Sequence, residues 1–279
     1  MQDSDFQFIA DFLKRESGII VTKDKVYLLE SRLMPVAKQN DLDSMQDLIG
    51  KLRVSQVSPI AHQIIEAMTT NETSFFRDTT PFDNLRNVIF PYFIKSRATT
   101  RSLRIWSAAC SSGQEPYSVI MTILENVPEL ANWNIEIVAT DLSEDILAQA
   151  KNGEYSQFEV QRGLPITMLV KYFAQEGEKW KIKDEIKNRI RFQKLNLLQT
   201  PYSFGTFDIV LCRNVLIYFD TETKHKILNG VYNSLSKDGV LMLGGAETVL
   251  GVTEEFKGLT GHRGIYVRDD TSFETAAAA

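Results

Sequence analysis

A chain of 279 residues with 43% hydrophobic and 24% charged side chains has an ordinary globular balance. It suffices for one large domain, or for a core of about 200 residues with a smaller domain attached. Its 31 Lys and Arg face 36 Asp and Glu, a formal net charge of −5; this argues against nonspecific nucleic-acid binding, which needs a basic face. Two distant cysteines, Cys110 and Cys212, fit neither a disulfide framework nor metal-ligand spacing. Asp3, Asp5 and Asp11 give the first residues the wrong charge for a signal peptide. No apolar run approaches the roughly 18 residues of a membrane span. The expectation is a cytoplasmic protein in a reducing compartment, without a metal centre or membrane insertion.

The first seventy residues read as helices. Phe6, Phe8, Ile9, Phe12 and Leu13 form a stripe at helical spacing. Thr22 is the candidate N-cap of a second helix with Val26, Leu29, Leu33 and Val36 on one face, and Pro35 should kink or end it. Lys23, Lys25, Arg32 and Lys38 make its other face net positive. Asp43 or Ser44 starts a third helix, and Ser58-Pro59 a fourth running to about Thr70. No strand signal occurs here. The predicted organisation is a helical N-terminal domain over 1–70, a linker and covering loop over 71–94, and a second domain over 95–279.

From about Arg101 strands alternate with helices. Leu103 to Ala109 is a strand ending in the turn Cys110-Ser111-Ser112-Gly113, followed by a helix from Pro116 to Leu124. Ile135 to Thr140 is a strand closed by Asp141, and Ser143 caps the next helix with Glu144 and Asp145 in its first turn. Thr206 to Cys212 is a strand, Thr221 to Leu235 a helix, and Val240 to Gly244 another strand. Two short strands near Phe256 and at Gly264 to Arg268 are too close for a helical crossover and should form an antiparallel edge hairpin. This is the pattern of an α/β doubly wound, mostly parallel Rossmann-like sheet. Glu178 to Leu195 breaks the rhythm: it reads as short strands around an Asp184 turn, a small β insertion at about 178–195 leading into a strand that ends at Asn196. Thr271 to Ala279 reads as a disordered tail.

In such sheets ligands bind beyond the carboxyl ends of the strands, where the strand order reverses. Three candidates lie there. The Cys110–Gly113 turn lets a ligand approach the backbone, although strand-to-helix turns often contain glycine for structural reasons. Asp141 is placed to accept hydrogen bonds from two ribose hydroxyls, although an Asp there is also a common helix-entry residue. Arg213 and Asn214, within the apolar string Cys212 to Phe219, need polar partners. Cys110 and Cys212 should end neighbouring central strands, either lining the pocket or serving as small buried residues. His62, His225 and His262 read as ordinary structural residues. The most specific string lies outside the sheet, at Asn71-Glu72-Thr73-Ser74-Phe75-Phe76-Arg77-Asp78. In a bland linker its two phenylalanines would be an aggregation risk.

That string resembles the signature of the CheR family of chemotaxis receptor methyltransferases, and the similarity continues through Cys110 to Ser118, Ala139-Thr140-Asp141, Asn196-Leu197-Leu198 and Cys212 to Phe219. The resemblance implies an S-adenosylmethionine (SAM)-dependent methyltransferase domain behind an all-helical domain. It implies transfer of a methyl group to glutamate carboxylates of a methyl-accepting chemotaxis receptor, with S-adenosylhomocysteine as product. By the same resemblance Asn71, Thr73 and Arg77 fold over the cofactor, Glu115 follows the glycine turn, Asp141 binds ribose, Asn196 and Leu197 flank adenine, and Cys212 and Arg213 complete the pocket. Arg77, Arg213 and Tyr218 match positions bordering methyl transfer. The partner would be the cytoplasmic helical domain of the receptor, docked on the basic second helix. Some members grip a receptor tail peptide with their insertion; the short insertion here lacks a glycine-rich extension, which counts against tethering. Two rival readings follow from the sheet alone: a methyltransferase of a small carboxylic acid, and a non-catalytic SAM-sensing module.

Overall fold

The computed structural model describes residues 1–199, 204–271 and Phe273. It divides into two compact units, one of residues 1–70 with 218–223 and one of 71–217 with 224–279.

The first unit holds four helices: α1 (Asp3–Ser17), α2 (Val26–Gln39), α3 (Met45–Val54) and α4 (Pro59–Met68). Gly18, with φ 77°, ends α1 as a left-handed cap. Ser44 and Ser58 cap α3 and α4 through Asp47 and Ala61 N–H groups. One expectation fails at the start of α2. Thr22 makes no side-chain cap and is followed by a 3-10 turn, Lys23–Lys25. Pro35 does not end the helix, which continues to Gln39. A mid-helix proline costs about 3 kcal/mol, and burial of Leu29, Leu33, Val36 and Ala37 on both sides of it offsets that. Arg32 does not contribute to a free basic face. Its guanidinium donates to the carbonyls of Met68 (3.0 Å) and Thr69 (2.9 Å) and so caps the end of α4. Lys25 and Lys38 are exposed.

The second unit is built on a seven-stranded sheet. Its strands are β1 (Ser102–Ala108), β2 (Asn134–Asp141), β6 (Ile190–Lys194), β7 (Phe207–Cys212), β8 (Leu235–Leu243), β9 (Phe256–Gly258) and β10 (Ile265–Arg268), in the order β6-β2-β1-β7-β8-β10-β9. The first five are parallel, and β10 and β9 form the antiparallel edge. The order reverses between β1 and β7, where Ala108 pairs with Thr140 on one side and Cys212 on the other. One face, with Ile105, Ile137, Ile209 and Leu211, is packed by α7 (Gln114–Asn126) and by helical residues of the 79–96 stretch. After β2, Ser143 caps α8 (Glu144–Asn152) by accepting from the Ile146 N–H, with Glu144 and Asp145 in the first turn. The opposite face of the sheet carries Trp106, stacked on Phe207, and shares a cavity with α12 (Thr221–Ser234).

The 71–94 stretch is not a linker. It contains α5 (Thr79–Asn84), a π-helical turn (Leu85–Ile89) and the start of α6 (Phe90–Ser96), with Phe82, Leu85, Ile89, Phe90 and Phe93 in the core. The β insertion also differs from expectation. Its sheet is β3 (Glu154–Ser156), β5 (Lys179–Ile182) and β4 (Phe173–Glu176), joined by α9 (Gln157–Gln161) and α10 (Ile166–Tyr172). The turn falls at Gly177, whose φ is 63°, while Asp184 opens the short helix α11 (Asp184–Lys187). The strand after it, β6, joins the main sheet beside β2 and ends at Lys194, two residues before Asn196. Phe273, within the predicted tail, is buried against Tyr92 and Phe93; Ser272 and residues 274–279 lie outside the described residues.

At the amino ends of the strands, Arg97 donates to Asp208 (2.8 Å) and Asp238 (2.6 Å), and Asp208 also accepts from the Arg104 N–H (2.8 Å). Burial pushes the Asp238 carboxyl up, but its Arg97 hydrogen bonds and charge outweigh this and hold it below 3.8. Arg97→Ala leaves two carboxylates facing each other and should destabilise the protein by about 2–4 kcal/mol, since breaking such a pair is costly. Because the folded-state value is depressed, this stabilisation is complete well above the ordinary carboxylate range and is lost as pH falls through the folded-state value. Denaturant titrations of both proteins at pH 7 and pH 3 check this: the gap should narrow at pH 3, and an equal gap at both would remove Asp238 from the account.

Candidate functional site

The carboxyl ends of β1, β2 and β7 are where the backbone is most strained. Among the described residues, seven non-glycine residues have left-handed backbone, and five of them are Phe76, Asp78, Ala109, Ser111 and Asn214. Such conformations cost about 1–3 kcal/mol each and persist only where surrounding contacts enforce them.

Asp141 closes β2 and is 7% exposed. Its Oδ2 accepts from the Ser111 N–H (2.8 Å) and its Oδ1 from the Ser143 N–H (3.1 Å). One carboxylate thus ties the loop after β1 to the loop after β2. The Asp141 carbonyl accepts from Leu195 (2.9 Å), which brings in the segment after β6. There the Asn196 Oδ1 accepts from the Leu198 N–H (3.0 Å), and Asn196 and Leu197 are half-buried.

Arg213 follows β7, and its side chain is almost wholly inaccessible. Its Nη1 donates to Glu115 Oε2 (2.8 Å), and its Nη2 to the Arg77 carbonyl (2.7 Å) and Asp78 Oδ2 (3.1 Å). Ser107, from β1, donates to the other Glu115 oxygen (2.7 Å). The guanidinium therefore joins β1, α7 and the end of the Asn71–Asp78 string. Its Nε is buried without a partner among the described residues. The Arg77 guanidinium turns elsewhere, donating to the Glu72 carbonyl (2.9 Å).

The rest of the string is anchored by packing. Ser111 Oγ donates to the Asn71 carbonyl (2.7 Å), and the Phe76 N–H donates to Ser118 Oγ (2.9 Å). Phe75 is fully buried, edge-on to Tyr155 of β3 (5.0 Å) and Phe173 of β4 (5.6 Å). Gly163, at φ 90°, lets the chain pass the Phe75 carbonyl: a Cβ there would lie 2.0 Å from that oxygen. Thr73 is half-buried.

Named contacts thus join Arg77, Glu115 and Arg213 in one group and Asn71 with Asp141, through Ser111, in another, while the segment with Asn196 and Leu197 is tied to Asp141 through Leu195. Tyr218, at the end of a 3-10 turn, falls in the other compact unit, where its carbonyl accepts from the Ile20 N–H (3.0 Å). Sequence reading gave Ser107 no part in the site, and gave Asp78 and Ser111 no individual role within the strings it singled out. Their signal is weak, since each acts through a contact made only after folding. Among the described residues, no group of three or more His, Cys, Asp or Glu is arranged to hold a metal ion, and no helix is long and apolar enough to cross a membrane.

The residues suit SAM on two observations. The buried Arg213 Nε is a donor without an acceptor, and Glu115 with Asp78 supplies two carboxylates against one guanidinium, a balance that suits a ligand carrying a sulfonium charge. The sequence comparisons agree. Residues 71–265 match the family model described as CheR methyltransferase, SAM binding domain, and residues 4–69 that described as CheR methyltransferase, all-alpha domain. The chain is similar to chemotaxis protein methyltransferase Cher2 of Pseudomonas putida, 41% identical over 91% of this chain and 93% of that one. It is similar to chemotaxis protein methyltransferase 1 of Pseudomonas aeruginosa, 41% identical over 95% and 98%. To the chemotaxis protein methyltransferase of Borreliella burgdorferi it is 35% identical over 84% of each.

The cysteines flank this site but are sealed. Cys110 is 1% and Cys212 0% exposed. Burial first, with Asp141 and Glu115 near Cys110 and with Glu247 and Glu115 near Cys212, pushes both thiols well above their ordinary range. Since the thiolate is the reactive form, maleimide should label neither cysteine in the native protein at pH 7, with or without SAM, and both after denaturation. Rapid native labelling seen by mass spectrometry would contradict this burial.

Proposed function

The chain belongs to the CheR methyltransferase family, and from that premise we propose that it transfers the methyl group of SAM to glutamate side-chain carboxylates of a chemotaxis receptor, forming methyl esters for sensory adaptation. The observation that carries this reading is Arg213, buried between Glu115 and the end of the Asn71–Asp78 segment. A segment fastened across the strand ends in this way is suited to cover a cofactor and to keep water from it.

In this reading Asp141 accepts from the ribose hydroxyls, and Asn196 and Leu197 border the adenine. Asn71, Thr73 and Arg77 cover the cofactor, with Glu115, Cys212 and Arg213 completing the pocket. SAM, when bound, supplies an electrophilic methyl group on a sulfonium. A glutamate with a pKa near 4.3 is already anionic at pH 7, so no general base is required. The work left to the chain is alignment and exclusion of water, and positioning alone is worth roughly 7–11 kcal/mol. Both Nη groups of Arg213 are committed to protein acceptors, which leaves Arg77 as the guanidinium to orient the substrate carboxylate. Orientation without tight ion pairing preserves the nucleophilicity of the carboxylate.

The partner in this reading is the cytoplasmic helical domain of the receptor, and the site of action is the cytosol. Lys25, in the 3-10 turn before α2, and Lys38 on α2 are the charges offered for docking, because Arg32 is used within its own unit. The deciding experiment incubates the protein with labelled SAM and a receptor signalling fragment; base-labile label on glutamates supports the proposal, and its absence ends it.

Two variants test the roles. Asp141→Ala should weaken SAM binding strongly in calorimetry, because each hydrogen bond to an ionised acceptor contributes about 1.5–3 kcal/mol; unchanged affinity in a folded variant would move the cofactor elsewhere. Arg77→Ala should lower turnover more than SAM affinity. Equal proportional losses would instead make Arg77 a cofactor clamp.

A further inference from the structure

We propose that Glu247 is a positioning residue that sets the direction of Arg213, an assignment that rests on the reading of Arg213 as belonging to the methyl-transfer site. Glu247 lies after β8, in the string Gly244-Gly245-Ala246-Glu247, and is 8% exposed. Its carboxylate accepts four main-chain N–H groups. Oε2 takes Asn214 (2.7 Å) and Gly244 (2.7 Å), and Oε1 takes Val215 (2.9 Å) and Leu216 (2.7 Å).

Three of these donors are consecutive, and the first, Asn214, has φ 59°. Successive N–H groups in such a turn form a concavity that binds anions. Here the anion is the chain's own carboxylate. A carboxylate has about four lone-pair sites, and four N–H groups occupy them, so Glu247 has no capacity left for substrate or proton transfer. Among the described residues, no Lys or Arg forms an ion pair with it.

Glycine at 244 is what admits the carboxylate. A Cβ at that position would lie 2.7 Å from Glu247 Oε2 and 3.0 Å from the Asn214 nitrogen. The strands beneath are in register, with Cys212 opposite Leu243, so the loops after β7 and β8 leave the sheet side by side. Glu247 then locks the β7 loop through its main chain, beginning one residue after Arg213. The guanidinium leaves this fixed turn to reach Glu115 and Asp78. A rotated turn would withdraw it from both.

The test uses two variants that disturb the same contact from opposite sides. Glu247→Gln keeps the size but offers one acceptor oxygen and turns an NH2 group toward N–H donors. Gly244→Ala leaves the glutamate and crowds it. For each folded variant, receptor methylation should show kcat lowered at least tenfold with KM for the receptor changed less than twofold. The Arg213 Nε–Hε resonance should shift in nuclear magnetic resonance spectra recorded without substrate. Added to Arg213→Lys, Glu247→Gln should lower kcat less than twofold further, as expected for residues acting through one another.

A kcat within twofold of wild type with an unmoved Arg213 resonance would overturn the proposal. So would a further tenfold loss on the Arg213→Lys background, which would mean that the two act independently. Loss of folding in both single variants would make Glu247 a stability residue and likewise overturn it. If the wild-type protein methylates no receptor, the proposed function fails, while the Arg213 resonance in the variants still decides the role of Glu247.

Discussion

A single buried guanidinium carries the connectivity of the second unit. Arg213 is held by one carboxylate from the helix after β1 and by a carbonyl and a carboxylate from the segment before α5. A charge at that depth is tolerated only when paired and hydrogen-bonded. The requirement works in both directions. Glu115 needs the guanidinium as much as the guanidinium needs Glu115, and Ser107 satisfies the remaining oxygen. Of the strained positions, Asp78 is held by Arg213, Ser111 by Asp141 and Asn214 by Glu247.

Asp141, at the end of β2 on the far side of β1, fastens its surroundings in a similar way. Ser111 and Ser143 donate to its two oxygens, so the geometry offered to a ligand is already fixed by protein amides. Preorganisation of this kind removes the ordering cost from the binding step. Arg213 and Asp141 both stand near the reversal point of the strand order, where the loops diverge and leave room. The sheet supplies that opening, and the side chains that shape it come from loops.

The sheet was legible in the sequence because its signals are local. Runs such as Phe207 to Cys212 are apolar on both faces, as buried parallel strands must be, and the close spacing of the last two strands ruled out a crossover helix. The Asn71–Asp78 string was legible for a different reason: its aromatic and polar residues are too costly in an exposed linker. What escaped was set by distant contacts. Thr79 to Ser96 carries weak periodicity and is helical because Phe82, Phe90 and Phe93 reach the core. The insertion was misplaced because β3 pairs with β5 from more than twenty residues away, and no local pattern announces that pairing. Asp78 and Ser107 are unremarkable in a string of letters and gain meaning only beside Arg213.

Phe75 sits at the centre of the small antiparallel sheet, between Tyr155 and Phe173, while its neighbours in the chain run to the strand ends. The insertion and the covering segment therefore share one core, with Gly163 pressed against the Phe75 carbonyl. A module fused in this way cannot be exchanged between relatives as a cassette bounded by its own strands. A chimera would have to carry the Asn71–Asp78 segment along with residues 154–187, because the donor's aromatic pair must fit the phenylalanine that arrives from outside. Divergence in this insertion is thus constrained by a residue some eighty positions earlier in the chain.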